Sequence, residues 1–264
     1  MRRAVSRLLP LTLLVLALAA CGGGGDESNE SANPLLDAAE STAAAGTSTT
    51  NTAATVTYPG TALRLQGEGG YNHGTNEGWQ HLTLRLPSGT AVLDEVFVTS
   101  SLWMKSAALF GADLPPGKEW LKYDTNKAGV DSGFNFKALM GQTPADVLKQ
   151  LQRTKAPFTE VGTEDIEGEQ TTHYRAAIDT TKIPAADNLQ KLTKSVYKPI
   201  DVWVDEDGRV RQVRFDYTAL VNPADTVRAR VRMTMKLADF GATVDVEKPA
   251  ASLVVDATAP VGSG

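Results

Sequence analysis

The sequence has very few of the residue types on which secreted scaffolds and enzymes most often depend. One cysteine among 264 residues excludes a disulfide within the chain. The three histidines are too scattered for the spacing of a metal site, and no G-x-S-x-G nucleophile motif occurs. Aromatic residues make up only 6% of the chain. These features predict a non-enzymatic domain without cofactor or metal, stabilised by burial of aliphatic side chains.

Two short motifs carry weak chemical signals. Ser195-Val196-Tyr197-Lys198 fits the S-x-x-K start of a penicillin-binding signature, but the companion K-T-G is missing. Asp205-Glu206-Asp207-Gly208 is acidic like a calcium loop, but it lacks the spaced ligands and the glutamate beyond the glycine. Its Asp-Gly pair is instead typical of a hairpin turn. We therefore predict no catalytic residue.

The charge balance argues against nucleic acid as a partner. The formal net charge is −5, and it becomes about −8 when the three positive charges of the N-terminal Arg2, Arg3 and Arg7 are left out. Nucleic-acid binding requires a basic footprint, which an acidic domain does not provide.

The N-terminus has the organisation of an export signal. The three arginines precede an apolar run over 8–19, which is too short for the roughly 20 residues of a membrane-spanning helix. Leu18-Ala19-Ala20-Cys21 then resembles the lipobox of bacterial lipoproteins, in which the cysteine sulfur receives a diacylglyceryl group. The resemblance implies acylation at Cys21 and anchoring on the outer face of the cell membrane through more than one acyl chain. An ordinary secretory signal with a chance cysteine is the alternative.

Composition then divides the chain into four segments. We predict a signal peptide over 1–20 and a flexible, Gly-rich and acidic tether over 21–32 that begins at Cys21. A folded domain over 33–247 follows, and the Pro-, Ala- and Ser-containing residues 248–264 are expected to be a flexible tail.

The folded domain is expected to mix helices with a meander of strands. Asn33-Pro34 predicts the start of a helix that ends at Gly46, with Leu35, Leu36 and Ala39 facing inward. Alternating apolar residues between 47 and 105 predict antiparallel strands joined by turns, with the glycine-rich 67–78 as a loop. Further helices are expected from Thr143 and over 185–197.

The second half has the clearest strand signals. A hairpin is predicted with strands at 200–205 and 210–217, and the strand 226–237 alternates almost without error. Arg228, Arg230 and Arg232 share the polar side of that last strand. They are expected to pair with carboxylates on the next strand, such as Asp201 or Asp205, or to contact anionic lipid headgroups. His173 is expected to be partly buried and bonded to a neighbour.

The motif at Cys21, the tether, the meander and the runs 161–168, 171–174 and 201–209 together resemble the actinobacterial LppX/LprAFG lipoproteins. That group is similar in fold to the lipoprotein carrier LolA. The resemblance implies an α+β fold, in which a strongly curved antiparallel sheet forms a half-open barrel with helices covering its concave face. Some members of the group hold acylated lipids between sheet and helices.

The resemblance carries over no fixed binding motif, so apolar residues on the inward faces are the candidates for a lipid cavity. They are Leu63, Leu65, Leu82, Leu84, Leu148, Leu151, Leu189, Leu192, Val231, Met233 and Met235. The loop residues Leu109, Phe110 and Leu114 are candidates for an entrance or membrane contact, or for a lid that folds back over the sheet.

Two functions remain open on these observations. The first is a membrane-anchored lipoprotein that binds a lipid or other amphiphile in an apolar cavity during envelope lipid transport or assembly. Flexible methionines on the inward faces favour an adaptable apolar site of this kind. The second is a surface-tethered interaction or sensor domain with a filled core, whose partner is another envelope protein.

Overall fold

The computed structural model describes residues 33–111, 114–124, 158–179, 197–220 and 227–257, which form one large sheet with two short α-helices and one 3₁₀ turn at Ala251–Leu253. Helix α1 is Pro34–Ala44 and helix α2 is Ala107–Phe110. The strands are β1 Thr47–Tyr58, β2 Thr61–Asn72, β3 Glu77–Leu86, β4 Gly89–Val98, β5 Ser101–Lys105, β6 Trp120–Asp124, β7 Phe158–Ile166, β8 Glu169–Asp179, β9 Tyr197–Asp205, β10 Val210–Leu220, β11 Arg228–Ala238 and β12 Val254–Asp256.

The order of strands in the sheet is β12-β6-β5-β4-β3-β2-β1-β11-β10-β9-β8-β7. Every neighbouring pair is antiparallel except β12 and β6, which are parallel. Most neighbours in space are also neighbours in sequence, as expected for hairpins joined by short turns. The sheet is curved and does not close, so the predicted open antiparallel sheet is confirmed.

Among the described strands, β12 and β7 are at the two ends of the sheet, and β7 shows how an edge strand is protected. The register with β8 shifts between Glu160 and Gly162, where Val161 bulges out and Gly162 has a φ of 149°. A bulge and a run of acidic residues on an edge strand discourage pairing with a second chain.

Helix α1 begins and ends where the sequence predicts. The side-chain oxygen of Asn33 accepts a hydrogen bond from the backbone N–H of Leu35 at 3.1 Å, and Gly46 follows the helix with a φ of 81°. The buried side is Leu35, Ala38, Ala39 and Thr42, which confirms the expectation for Leu35 and Ala39, whereas Leu36 is only half-buried. Spacings of three, four and seven residues from Leu35 keep these positions on one side, whereas Leu36 lies about 100° away.

The two faces of the sheet differ in chemistry. We call the face that carries Leu82, Leu93 and Met235 the inner face and the opposite one the outer face. Helix α1 packs on the inner face at the β8–β10 side, in a cluster with Ile200 and Val202. The backbone N–H of Val210 also donates to the α1 hydroxyl of Thr42 at 2.8 Å.

Strands continue through the glycines between 67 and 78, so the predicted loop is wrong over most of its length. Gly67–Asn72 belongs to β2 and Glu77 already begins β3. A Cβ on Gly67 would lie 2.0 Å from the carbonyl oxygen of His81, and one on Gly69 would lie 2.3 Å from that of Trp79. The glycines are therefore sites of close backbone approach within the ladder.

The C-terminal segment corrects a second prediction, because part of the expected flexible tail is folded. Val254–Asp256 forms β12 beside β6, and the backbone N–H of Glu119 donates to the carbonyl of Leu253 at 2.9 Å. Val246 and Val254 pack on the outer face against Trp103. Composition concealed this segment because two valines, Val246 and Val254, are enough to contact the patch around Trp103.

Several predictions lie outside the described residues. These are the signal peptide, Cys21 and the tether, the helices expected from Thr143 and over 185–197, and the tail beyond residue 257. Within the described residues, neither helix has the length and hydrophobicity to cross a bilayer.

Candidate functional site

The cavity candidates that the structure describes all share the inner face. Six of them are buried, and Leu63 is half-buried beside Val56 and Val231; the six are Leu65, Leu82, Leu84, Val231, Met233 and Met235. Strand β11 lies next to β1 and not next to β3, but Ala54 of β1 and Leu65 of β2 connect Met233 and Met235 with Leu82 and Leu84 in one cluster. The helix candidates Leu148, Leu151, Leu189 and Leu192 lie outside the described residues.

The candidate entrance segment folds back towards this cluster. Leu109 and Phe110 lie in α2, and both pack against the inner-face cluster while staying half-buried. Leu114, beyond α2, is also half-buried. Helix α2 follows β5 at the end of the sheet where the β1–β2 and β3–β4 turns also lie. This segment therefore covers part of the inner face at one end of the sheet.

A carboxyl group interrupts the apolar inner face. Glu95 is only 1% exposed, and it lies between Leu93 and Phe97 on β4. Its cross-strand neighbours are Gln80 on β3 and Met104 on β5. Within the part of the chain that the structure describes, neither carboxyl oxygen of Glu95 has a hydrogen-bond partner.

Other polar side chains line up with Glu95 across the strands. The register runs from Thr50 on β1 through Gly69 on β2 to Gln80 and Glu95. Because Gly69 has no side chain, Thr50 and Gln80 both lie over it: the Thr50 hydroxyl and the Gln80 Cγ are each 2.9 Å from where its Cβ would be. Ser106, two residues beyond Met104, is buried as well.

The hydroxyl of Ser106 is available for a partner that the described chain does not provide. A serine that precedes a helix ordinarily caps it, but Ser106 makes no side-chain capping bond to α2. Its Oγ is buried without a hydrogen-bond partner among the described residues. We call Thr50, Gln80 and Glu95, which are in register, together with Ser106 two residues beyond Met104, the polar row.

Burial determines the protonation of Glu95. Desolvation raises the pKa of this carboxyl from 4.5 to about 8, so the group is mainly neutral at pH 7. A neutral carboxyl both donates and accepts one or more hydrogen bonds. The polar row therefore presents uncharged hydrogen-bonding groups in an apolar surrounding.

The outer face carries a second polar cluster, around His173, in which the hydrogen bonds are complete. One ring nitrogen of His173 lies 2.9 Å from Glu164 and the other lies 2.9 Å from Asp201. The ring stacks on Trp203 with centroids 4.2 Å apart, and the indole N–H donates to Glu164 at 3.0 Å. His173 is bonded to its neighbours as expected, but it is buried and not partly buried, and neither ring nitrogen is left to act on a substrate.

Asp201 is the centre of the same cluster. Burial raises the pKa of this carboxyl, but hydrogen bonds from His173, Arg175 and Arg214 outweigh burial and lower the pKa below its ordinary value. Arg175 and Arg214 donate at 2.8 and 3.0 Å. We interpret this cluster as a structural cross-link of β7, β8, β9 and β10.

The arginine stripe on β11 pairs with a different carboxylate from those expected. Arg230 and Arg232 both donate to Asp216 of β10, at 2.8 and 3.1 Å. The prediction of Asp201 or Asp205 as partners is wrong, because those residues are on β9, one strand farther away. The hydrogen bond from Arg230 is the main reason why the pKa of Asp216 is lowered.

The polar row is the part of the site that sequence reasoning missed. A usable signal exists, because Leu93, Glu95 and Phe97 alternate on one face of β4. An ionisable residue that occupies an inward position between two apolar residues of a strand is expected to be buried. Thr50 and Gln80 give no comparable signal, since only the register places them beside Glu95.

No protein-family model matches the sequence. Among curated proteins, the chain is similar to an uncharacterized 31.2 kDa protein from the rplA-rplJ intergenic region of Streptomyces griseus. The two are 27% identical over 156 residues, which cover 53% of this chain and 48% of the relative. The match thus spans about half the length of that relative.

Among solved structures, the chain is similar to LprF from Mycobacterium bovis, with 15% identity, a TM-score of 0.45 and coverage of 83% of this chain and 96% of that one. It is also similar to the lipoprotein LppX from Mycobacterium tuberculosis, with 12% identity, a TM-score of 0.44 and coverage of 81% and 98%. A LolA superfamily protein from Nitrosomonas europaea shows 11% identity, a TM-score of 0.32 and coverage of 78% and 90%.

Proposed function

We propose that this protein is a membrane-anchored lipoprotein that binds a lipid or other amphiphile on the inner face of its sheet. Acylation at Cys21 would hold it at the outer face of the cell membrane, with the tether between membrane and domain. The bound acyl part would be shielded from water during lipid transport or assembly in the envelope. The apolar strip of the inner face carries the proposal.

The apolar strip is suited to a flexible hydrocarbon chain. It runs across β11 and β1 to β5 and consists mainly of aliphatic and methionine side chains, with Leu82, Leu84 and Met233 among its members. Methionine adapts its shape to a varied partner because its side chain is unbranched and flexible. Each CH₂ group of a ligand that is buried there contributes roughly 0.8 kcal/mol.

A second candidate function rests on the degree of burial. Leu82 and Leu93 are 1% and 0% exposed, which is also the burial of a close-packed core. A domain with a filled core would serve as a surface-tethered interaction or sensor module, with another envelope protein as its partner. The two candidate functions predict different effects of a larger side chain on the inner face. A ligand site has room for such a side chain, whereas a filled core does not.

Neighbouring alanines on β1 provide a matched test of that difference. Ala54 lies on the inner face among the apolar strip, and Ala53 is exposed on the outer face. We expect Ala54→Phe to keep the stability of the wild type and to lower the binding of an oleoyl probe at least about tenfold, since the ring occupies space meant for the ligand. Ala53→Phe is the control and should change neither quantity.

The measurement is the binding of monooleoylglycerol to the full chain in phosphatidylcholine nanodiscs, followed by native mass spectrometry, together with urea unfolding. A filled core would respond differently. Overpacking would then destabilise Ala54→Phe by about 1 to 3 kcal/mol, and the wild type would retain no probe. That pair of results would contradict the proposed function and support the interaction domain.

A further inference from the structure

The unpartnered groups on the inner face point to one more property of the site. A buried polar group without a hydrogen bond destabilises a fold, and a carboxyl does so more than most. Among the described residues, Glu95, Ser106 and, on the same face, Thr52 are in this position. Thr50 and Gln80 are buried polar side chains in register with Glu95. Unpartnered groups next to two further buried polar side chains indicate a binding surface for a polar group from outside the described chain.

The position of the row relates it to the apolar strip. Along β3 and β4, the polar row lies directly next to Leu82 and Leu93, which belong to the strip. Adjacent strands are about 4.8 Å apart, so the distance from Thr50 on β1 to Glu95 on β4 is roughly 14 Å along the sheet. One molecule can therefore lie with its hydrocarbon on the strip and its polar part on the row.

The charges around the row restrict the chemistry of that polar part. The arginine and lysine residues of β1 to β6 are Arg64, Arg85, Lys105 and Lys122, and the register places all four on the outer face. A phosphate on the inner face would thus meet a carboxyl and no cation from these strands. An ammonium group would require ionised Glu95, whose neighbours Leu93, Phe97 and Met104 oppose a charge.

We propose that the polar row binds a neutral, hydroxyl-bearing group of the amphiphile, with Glu95 as its central hydrogen-bonding residue. This inference rests on the proposed function, because the acyl part of the same molecule occupies the apolar strip. A hydroxyl group donates to the carbonyl oxygens of Glu95 and Gln80 and accepts from their O–H and N–H groups. The row is thereby a specificity determinant that favours glycerol-like or other polyol ends over charged ones.

Three probes with the same hydrocarbon length and different polar ends test the proposal: monooleoylglycerol, monooleoyl phosphatidate and oleylamine. Each is titrated against the full chain in phosphatidylcholine nanodiscs, and the retained probe is measured by native mass spectrometry. We expect the wild type to bind monooleoylglycerol at least about tenfold more tightly than either charged probe, since an unmatched polar group in a buried site is strongly rejected.

Variants of the row separate selectivity from binding itself. Glu95→Leu should bind all three probes within about threefold of each other, because the apolar strip is intact and the hydrogen bonds are gone. Glu95→Gln keeps a donor and an acceptor and should keep the preference. Gln80→Leu should weaken the preference in the same direction, and it replaces Glu95→Leu if that variant fails to fold. Glu68→Leu, an exposed carboxylate on the outer face, is the control.

The outcomes distinguish the two proposals. Equal binding of the three probes by the wild type, a preference for oleylamine, or an unchanged preference in Glu95→Leu would overturn the role of the polar row and leave lipid binding in place. Failure of the wild type to bind any probe would overturn lipid binding itself, and with it the inference.

Discussion

Replacement of Glu95 by glutamine should change how the stability of the protein depends on pH. In the folded chain, burial raises the pKa of this carboxyl from 4.5 to about 8. In the unfolded chain the group is exposed to water and keeps its ordinary pKa. Between these two values the folded state holds a proton that the unfolded state has released, so the wild type becomes less stable as pH rises.

The size of the effect follows from the two pKa values. A difference of one pKa unit corresponds to about 1.4 kcal/mol, so the full shift amounts to roughly 5 kcal/mol between pH 4.5 and pH 8. That figure is a large part of the 5 to 15 kcal/mol by which domains are typically stable. The neighbours Gln80, Leu93, Phe97 and Met104 carry no charge, so desolvation alone accounts for the shift.

Urea unfolding of wild type and Glu95→Gln at a series of pH values measures this difference directly. Glutamine has the shape of the protonated carboxyl and does not titrate, so the two proteins should be about equally stable at the acidic end. The variant should then become progressively more stable than the wild type up to about pH 8, and the difference should stay constant above it.

Changes in the rest of the protein's charge cancel in this comparison because both chains share them. Glu68→Gln, on the exposed outer face, should follow the wild type at every pH. Parallel stability profiles for wild type and Glu95→Gln would refute the reasoning, since they would mean that Glu95 is ionised and paired in the folded protein.

Two other substitutions test the outer-face cluster and the anchor. Asp201→Asn should destabilise the domain by about 3 kcal/mol at neutral pH, because His173, Arg175 and Arg214 lose their common carboxylate. Because the pKa of Asp201 is lowered in the folded state, the destabilisation should be complete above the ordinary aspartate pKa of about 4. It should become smaller as the pH falls through the pKa of Asp201 in the folded state. A destabilisation that stays the same at every pH in thermal or urea unfolding would contradict this. Cys21→Ala should move the chain from the membrane to the soluble fraction and end labelling by radioactive palmitate, whereas continued membrane retention would argue against acylation at this residue.

Local patterns were sufficient to predict most of the sheet. The alternation in Arg228–Ala238 specifies which residues face the core, and the Asp-Gly pair before Arg209 specifies the hairpin between β9 and β10. Capping by Asn33 likewise specifies the start of α1. These features succeed because each depends on residues within one element or one turn.

The predictions that failed depend on neighbours that are distant in sequence. Gly67 and Gly69 look like loop residues until β3 is placed beside them, where the backbone of His81 and Trp79 leaves no room for a side chain. The C-terminal segment looks unstructured until β6 and the patch around Trp103 provide a surface for Val254. Pairing of Arg230 with Asp216 similarly requires the strand order, which no local pattern contains.

Two buried carboxyls on opposite faces show why the candidate site belongs on the inner face. Asp201, on the outer face, accepts hydrogen bonds from three side chains, and its pKa is lowered. Glu95, on the inner face, is more deeply buried, has no partner in the described chain and has a raised pKa. The same sheet therefore contains one polar cluster whose hydrogen bonds are complete and another that finds no partner for its carboxyl among the residues that the structure describes. A buried carboxyl without a partner weakens the fold, so a ligand hydroxyl group that bonds to Glu95 would stabilise the protein. The same hydrogen bond would select ligands that carry a hydroxyl group.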